Sequence, residues 1–391
     1  MQRIPITPRR NWQHTVESQG LTFHTLENGK PYWDESAAYQ FTAAEIDTLE
    51  AAGNTLQQMC LAAAQHIIDE RRYAELDIPA QAVEAIEWAW NNEPPALYGR
   101  FDLSWAGAQS GHAPKLLEYN ADTPTSLLEA AVIQWNWLEE SAPSLSTNPK
   151  PDQFNSIHEK LIAKWKDIDP YLSKPIYFAA LDNPEDQLTT TYLRDTAQQA
   201  GLDTLQMFMN EIGWNDEQQL FLDPDEQPMF SIFKLYPWEA MLQEEFAPHA
   251  IDTYPSTRWI EPIWKMLLSN KGILPILWQL YPNHELLLES HFTDEAGTAP
   301  TTVTNYVRKP LMSREGANIT LVRDNASIAS TPGPYNGRQI VQALAPDAVF
   351  DHRHTVLGLW MIDQDCCGLG VRESFNPITD NLSSFVPHFF L

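Results

Sequence analysis

The sequence predicts an α+β fold, and three stretches carry the prediction. Residues 98–105 and 115–122 are short runs in which apolar and polar residues share the chain. They are joined by a Gly-, Ser-, Ala- and Pro-containing break at 106–114, as two strands of a hairpin would be. Residues 42–73 place Ile46, Leu49, Leu56, Met59, Leu61 and Ile67 at near-helical intervals behind a Thr42/Glu45 capping box. Residues 176–209 read strand, helix, strand, a small α/β unit.

Composition narrows the class. A chain of 391 residues with 43% hydrophobic content, 14 Trp and 16 Phe buries a large core, and its length allows two or three domains. The formal charge of -27 repels phosphate backbones and anionic lipid, so neither nucleic acid nor membrane is an expected partner. Cys60, Cys366 and Cys367 are too few for a disulfide scaffold and lack zinc spacing. With no apolar signal region and no run of about 20 apolar residues, a cytoplasmic protein is expected.

Taken in order, residues 1–35 read as irregular, and the long helix follows. A second helix at 79–90 puts Val83, Ile86 and Trp90 on one side and stops at the Asn-Asn-Glu-Pro-Pro break of 91–95. Beyond the hairpin, 125–140 is a helix with Leu127, Leu128, Ala131, Val132, Trp135 and Leu138 on its apolar face. A Ser/Pro/Asn loop at 144–152 leads to a helix at 154–168. A buried-type strand at 176–181 precedes a helix at 188–200 stopped by Gly201, and 204–209 is the next strand. Two strands, 220–223 and 231–236, flank an Asp-Pro-Asp-Glu turn, and 238–245 is helical. Residues 261–268 read as extended or turn, 273–280 as an apolar helix and 285–291 as a short segment. Residues 303–310, 339–344 and 355–362 are strands, and 368–373 is a Gly-rich late strand. No internal repeat occurs.

Alternate strand positions share a face, so Arg100 and Asp102 are neighbours, as are Glu118, Asn120 and Asp122. If the strands pair, one face carries three or four oxygen ligands and a guanidinium, which suits Mg²⁺. A solvated polar hairpin face would show the same residue types. Lys271 stands at the mouth of the apolar helix, Lys309 ends a strand, and Arg372 lies beside a Gly-rich turn. Surface lysines are common, but clustered cations are more informative against so acidic a background. A strand lysine next to a loop ending Arg314-Glu315-Gly316 resembles how folds without a P-loop cover ATP, the lysine and backbone N–H groups together balancing phosphate charge. There is no GxxxxGK[ST] and no GxGxxG. The histidines form no HExxH or triad-like cluster, and His352 with His354 falls short of a zinc set.

With these residues gathered, the chain resembles the glutathionylspermidine synthase family of ATP-grasp ligases over about residues 10–388. The strongest pieces are Tyr98-Gly99-Arg100-Phe101-Asp102, Leu117-Glu118-Tyr119-Asn120-Ala121-Asp122, Ser269-Asn270-Lys271, Val307-Arg308-Lys309-Pro310 with Gly316-Ala317-Asn318-Ile319, and Leu369-Gly370-Val371-Arg372. The resemblance implies an ATP-grasp fold holding nucleotide between two α+β subdomains, beside a pre-ATP-grasp α/β region with an insertion at roughly 170–215, all in one ligase unit. It implies that Asp102, Glu118 and Asn120 hold Mg²⁺ and that Arg100 reaches a transferring phosphate. Lys271 and Lys309 would contact ATP, with Phe101 and Arg308 at the same site. The Gly316 loop would close over the phosphates, Gln342 would lie near the nucleotide, and Arg372 would sit by an acyl phosphate.

The implied reaction joins a small-molecule acid, a glutathione-like peptide in the family, to an amine such as a polyamine. Two departures bear on this. The ligase-like region begins almost at Met1, so no amidase domain is expected. The segment Thr123-Pro124-Thr125-Ser126 carries no Cys where the bifunctional enzymes have Ser and Cys that help hold glutathione. The rival expectations are an ATP-grasp nucleotide-binding protein without ligase activity that acts by association, and a metal-dependent hydrolase using Asp102 and Glu118. Nucleotide dependence separates the ligase from the hydrolase.

Overall fold

Alternation along the hairpin decides the layers. Phe101, Leu103, Leu116 and Tyr119 point one way and join a core with Leu357, Leu359, Met361, Leu369 and Val371. The long helix Ala43–Asp69 covers this face with Leu49, Leu56, Met59 and Cys60. Its start is built as its sequence requires. Thr42 Oγ1 accepts the Glu45 N–H at 3.2 Å, and the Glu45 carboxylate accepts the Thr42 N–H at 3.0 Å. The opposite face of the hairpin is left to polar side chains.

The computed structural model describes residues 1–145, 149–294 and 303–391. The hairpin strands Tyr98–Ser104 and Lys115–Asn120 form one edge of a central antiparallel sheet continued by Arg353–Ile362, Asp365–Ser374 and Ser384–Val386, with Val349–Phe350 pairing off the path. A second antiparallel sheet, ordered Ser290–Phe292, Gln339–Ala343, Tyr306–Pro310, Thr320–Arg323, Ala326–Ser330, forms a roof. A third sheet is parallel: Arg258–Ile260, Ser231–Leu235, Ile176–Ala180, Thr204–Phe208. The α/β unit therefore runs past residue 215 to Ile260. Two buried ion pairs fasten it to the hairpin. Lys234 donates to Asp122 Oδ1 at 2.7 Å, while Asp122 Oδ2 accepts the Trp238 N–H at 2.9 Å. Glu261, paired with Lys265, accepts the N–H groups of Leu97 and Tyr98.

Several sequence-based expectations are corrected. Residues 1–35 contain the strand Gln2–Pro5 and the helix Trp12–Ser18. The strand pairs with Ala37–Phe41, which also takes His388–Phe390 from the far end of the chain, a long-range pairing invisible to local patterns. Residues 263–269 are helical turns, not extended chain. Leu220–Leu222 and Ser231–Leu235 do not pair with each other; the first pairs with Gly213–Asn215 and the second enters the parallel sheet. The helix expected at 125–140 opens on a π turn, Glu129–Ile133, and runs to Leu145 with Pro143 inside it. Of the loop expected at 144–152, residues 146–148 lie outside the described residues. None of the described helices is long and apolar enough to cross a membrane.

Candidate active site

The polar face of the hairpin is the floor of a cavity of about 740 Å³ beneath the roof sheet. Pairing sets Arg100 opposite Asn120 and Asp102 opposite Glu118. On the neighbouring strands Trp360 faces Arg100, Gly358 faces Asp102, and Val356 faces Arg372. Residues opposite one another in an antiparallel ladder share a side, so Arg100, Asp102, Glu118, Asn120 and Arg372 line one floor. A Cβ at Gly358 would lie 2.9 Å from Arg100 Cδ. That glycine leaves the guanidinium room to lie along the sheet, 5.7 Å from the Trp360 ring centroid.

Arg100 is held at three atoms. Nε and Nη2 donate to Asp102 at 2.6 and 3.0 Å, and Nη1 donates to the Thr125 carbonyl at 2.7 Å. Burial works against the guanidinium charge, and Asp102 outweighs it, so the pKa of Arg100 is raised. Lys271 sits between the short helix Met266–Ser269 and the helix Ile273–Leu280, where Asn270 Oδ1 pins the Gly272 N–H at 2.8 Å. Its ammonium reaches Glu118 Oε2 at 3.0 Å and the Ser313 carbonyl at 2.6 Å. Lys309 descends from the roof to the Leu117 carbonyl at 2.9 Å and Gln342 Oε1 at 2.8 Å. Gln342 in turn donates to the Leu116 carbonyl at 2.9 Å. Burial opposes ionisation of Glu118, but Lys271 and Lys309 hold its carboxyl well below the usual range.

Asp102, Glu118 and Asn120 are neighbours: the Asn120 amide nitrogen lies 3.4 Å from Asp102 Oδ2 and 3.5 Å from Glu118 Oε1. No group of three or more His, Cys, Asp or Glu able to hold a metal occurs among the described residues. Two carboxylates and one amide oxygen fit Mg²⁺, which takes few protein oxygens and completes its shell from water and phosphates. They do not fit zinc.

Burial, opposed by Glu118 and aided by Lys271, brings the Lys309 ammonium down to about 8. Any polyphosphate held by this ammonium would favour the protonated form and raise that pKa. MgATP offered as that polyphosphate is therefore expected to bind more weakly as pH rises through about 8, by up to about tenfold per pH unit. The check is a calorimetric titration of MgATP across that range. Lys309→Arg, whose guanidinium stays charged, is expected to bind with little pH dependence.

The Gly316 loop reaches over the cavity. Gly316 has φ +70°, and a Cβ there would come 2.5 Å from the Thr379 carbonyl oxygen. Arg372 is nearby, its Nη2 donating to the carbonyls of Asp380 and Ser383 at 2.7 and 3.1 Å. Three expected site residues are placed elsewhere. Phe101 is buried in the core, stacked on Tyr119 at 3.8 Å, because it alternates with Arg100 and Asp102. Arg308 alternates with Val307 and Lys309 and so faces away from the cavity, lying near the Tyr306 ring and hydroxyl. Asp122 follows the end of its strand and is spent on Lys234 and Trp238.

Sequence reasoning missed Arg314, Glu239, Asp186 and the part played by Thr123. Arg314, in the covering loop, donates to Glu239 at 2.6 and 2.9 Å and to Thr123 Oγ1 at 2.6 Å, tying the loop to the parallel unit and the hairpin. Asp186, in the first turn of the helix Pro184–Gln199, lines the cavity, and burial lifts its carboxyl to about 6. The Arg-Glu-Gly run at 314–316 and the Gly-Ala-Asn-Ile piece after it signalled that loop in sequence, but not the ties Arg314 makes.

Two buried lysines and half-buried arginines thus gather around paired carboxylates in one cavity. The chain belongs to the glutathionylspermidine synthase preATP-grasp family, which it matches over residues 3–391, and so to the C–N ligases. It is 39% identical over 404 residues, the whole of both chains, to a Haemophilus influenzae protein whose name places it among the acid–amine ligases. It is 28% identical over 349 residues to a trypanothione synthetase from Crithidia fasciculata, covering 83% of this chain and 52% of that one. Its fold is like that of a glutathione synthetase-like effector from Globodera pallida, with TM-score 0.56, 9% identity and 98% of each chain covered.

Proposed function

We propose that this chain is a cytoplasmic ATP- and Mg²⁺-dependent carboxylate–amine ligase that forms an amide through an acyl phosphate. The observation that carries the reading is one cavity uniting Arg100, Asp102, Glu118, Asn120, Lys271, Lys309 and Arg372 between a sheet floor and a sheet roof. On this reading the arrangement is that of an ATP-grasp fold, with nucleotide held between two α+β parts.

A substrate carboxylate oxygen attacks the γ-phosphorus of ATP and ADP leaves. The amine nitrogen then attacks the acyl carbon, inorganic phosphate leaves, and the nitrogen loses a proton. Little covalent work falls to the protein, so positioning and charge neutralisation dominate. Lys271 and Lys309 hold the polyphosphate, with Gln342 beside the nucleotide and the Gly316 loop closing over it. Arg100 orients the transferring phosphoryl group, and Arg372 meets the acyl phosphate. Asp102, Glu118 and Asn120 would hold Mg²⁺, which neutralises phosphate charge when bound. The acid is a small peptide-like carboxylate and the amine a polyamine-like cation, the latter consistent with acidic residues such as Asp186 in the wall. Three free, buried cysteines accord with a reducing compartment.

The test is ADP release from MgATP, alone and with a panel of peptide-like acids and polyamines. Stimulation by one acid–amine pair, with the amide recovered, is the expected result. ADP release that no pair stimulates would count against ligase activity and favour action by association. Absence of MgATP binding would refute the reading altogether.

A further inference from the structure

Beside the floor of the cavity, on its polar face, lies a polar cluster that the proposed chemistry does not use. Tyr32, Ser126 and Glu129 are all buried. The Tyr32 hydroxyl donates to Glu129 Oε1 at 2.7 Å and lies 3.1 Å from Ser126 Oγ. No ion pair reaches Glu129 among the described residues, although Arg372 faces it from the sheet and Glu185 from the helix Pro184–Gln199. Two backbone features mark the cluster as built. Ser126 has φ +65°, a left-handed conformation that a serine adopts only when its surroundings hold it there. Glu129 opens the π turn Glu129–Ile133, a widened turn that recurs at functional sites.

The cluster leads to the reacting end of the cavity through one residue. Thr125, immediately before Ser126, supplies the carbonyl that accepts Arg100 Nη1 at 2.7 Å. Ser126 itself borders a small void shared with Arg100, Asp102 and Arg372. The conformation of residues 125–126 thus sets one of the three anchors that aim Arg100. Tyr32, bonded to Ser126 and to Glu129, holds that conformation from the side away from Arg100.

We propose that Tyr32 and Glu129 are positioning residues that aim Arg100 through the Thr125–Ser126 turn, and that the protonation state of Glu129 sets how firmly that turn is held. The proposal rests on the reading of Arg100 as the phosphoryl-orienting cation. Burial, opposed by its own backbone N–H, Tyr32 and Arg372 and reinforced by Glu185, lifts the Glu129 carboxyl to about 7. Below that pH the neutral acid needs no more than the two donors it is given, the Tyr32 hydroxyl and its own backbone N–H, and the turn stays seated. Above it, a buried carboxylate with no paired cation demands further donors or water, and the turn loosens.

Two measurements test this on the full chain. The first does not depend on activity: an infrared difference spectrum of wild type minus Glu129→Gln, recorded across neutral pH. A protonated-carboxyl band that disappears as pH rises through about 7 is expected. A band absent at every pH overturns the proposal even if the ligase reading stands. The second is the pH profile of kcat for MgATP turnover. In wild type kcat is expected to fall as pH rises through about 7, and in Glu129→Gln, which keeps an acceptor for Tyr32, to lose that inflection. Tyr32→Phe is expected to lower kcat by about 10- to 100-fold with KM for MgATP little changed. An identical inflection in Glu129→Gln, or full kcat in Tyr32→Phe, overturns the proposal. Wild-type protein that shows the infrared titration but turns over no MgATP refutes the ligase reading and leaves the buried proton site established.

Discussion

Asp102→Asn and Lys271→Ala are each expected to lower MgATP turnover by about 10²- to 10³-fold while the protein stays folded. Asp102 has two tasks in the free protein: it takes both Nε and Nη2 of Arg100 and stands beside Glu118 and Asn120. Asparagine keeps the shape and one acceptor but removes the charge. Arg100 is then held less firmly, and the oxygen set proposed for Mg²⁺ keeps only one carboxylate. The distinguishing readout is the Mg²⁺ dependence of turnover, whose midpoint is expected to rise in Asp102→Asn. Lys271→Ala removes the ammonium 3.0 Å from Glu118 and vacates a contact with the Ser313 carbonyl at the start of the covering loop. Its defect is expected in MgATP affinity as well as in kcat, because the lysine proposed to hold the nucleotide also holds the loop at Ser313. Full turnover by both variants, measured as ADP release, would refute the assignment of this cavity as the nucleotide site.

The site was partly legible in sequence, for a reason that also explains the errors. Alternation along a strand is strict, and Arg100, Asp102, Glu118 and Asn120 obey it, so their common face could be read before any coordinates. The same rule excludes Phe101 and Arg308, which were carried along inside contiguous motifs although their neighbours point the other way. Asp122 follows the spacing, but the strand ends at Asn120, and alternation has no force beyond a strand's end. Lys271 and Lys309 come from distant segments, and residue type and family resemblance found them, not periodicity. Arg314, Glu239 and Tyr32 were missed because their roles are bonds between segments far apart in the chain, such as the one from residue 314 to residue 239.

Fold legibility follows the same line. The helices Ala43–Asp69 and Ile273–Leu280 carry their own periodicity and end signals, and both were read close to their true bounds. The strand Gln2–Pro5 exists only because residues 37–41 are brought beside it, and those in turn are flanked on their other edge by residues 388–390. The parallel sheet could be recognised at 176–209 but not followed to Ile260, since Arg258–Ile260 is a three-residue strand with no pattern of its own.

The largest effect on stability is expected at Lys234. Its ammonium is fully buried, 2.7 Å from Asp122 Oδ1 and 2.9 Å from the Tyr236 carbonyl, and it lies over the Trp238 ring. Lys234→Met fills the space with an apolar chain but leaves Asp122 buried and charged with only the Trp238 N–H to accept from. An uncompensated charge of this kind costs about 3–5 kcal/mol. The double variant Asp122→Asn/Lys234→Met removes the charge while the amide oxygen still accepts from Trp238. It is therefore expected to be more stable than Lys234→Met alone, a coupling that urea midpoints of the two proteins would reveal. Simple loss of packing would make the double variant equal to or worse than the single one. The site is expected to register the same change. Asp122 stands two residues beyond Asn120, and Trp238 is followed by Glu239, the carboxylate that holds Arg314 in the covering loop. Loosening this latch shifts the parallel unit against the hairpin, so the stability lost in Lys234→Met should be accompanied by weaker MgATP binding and recovered with it in the double variant.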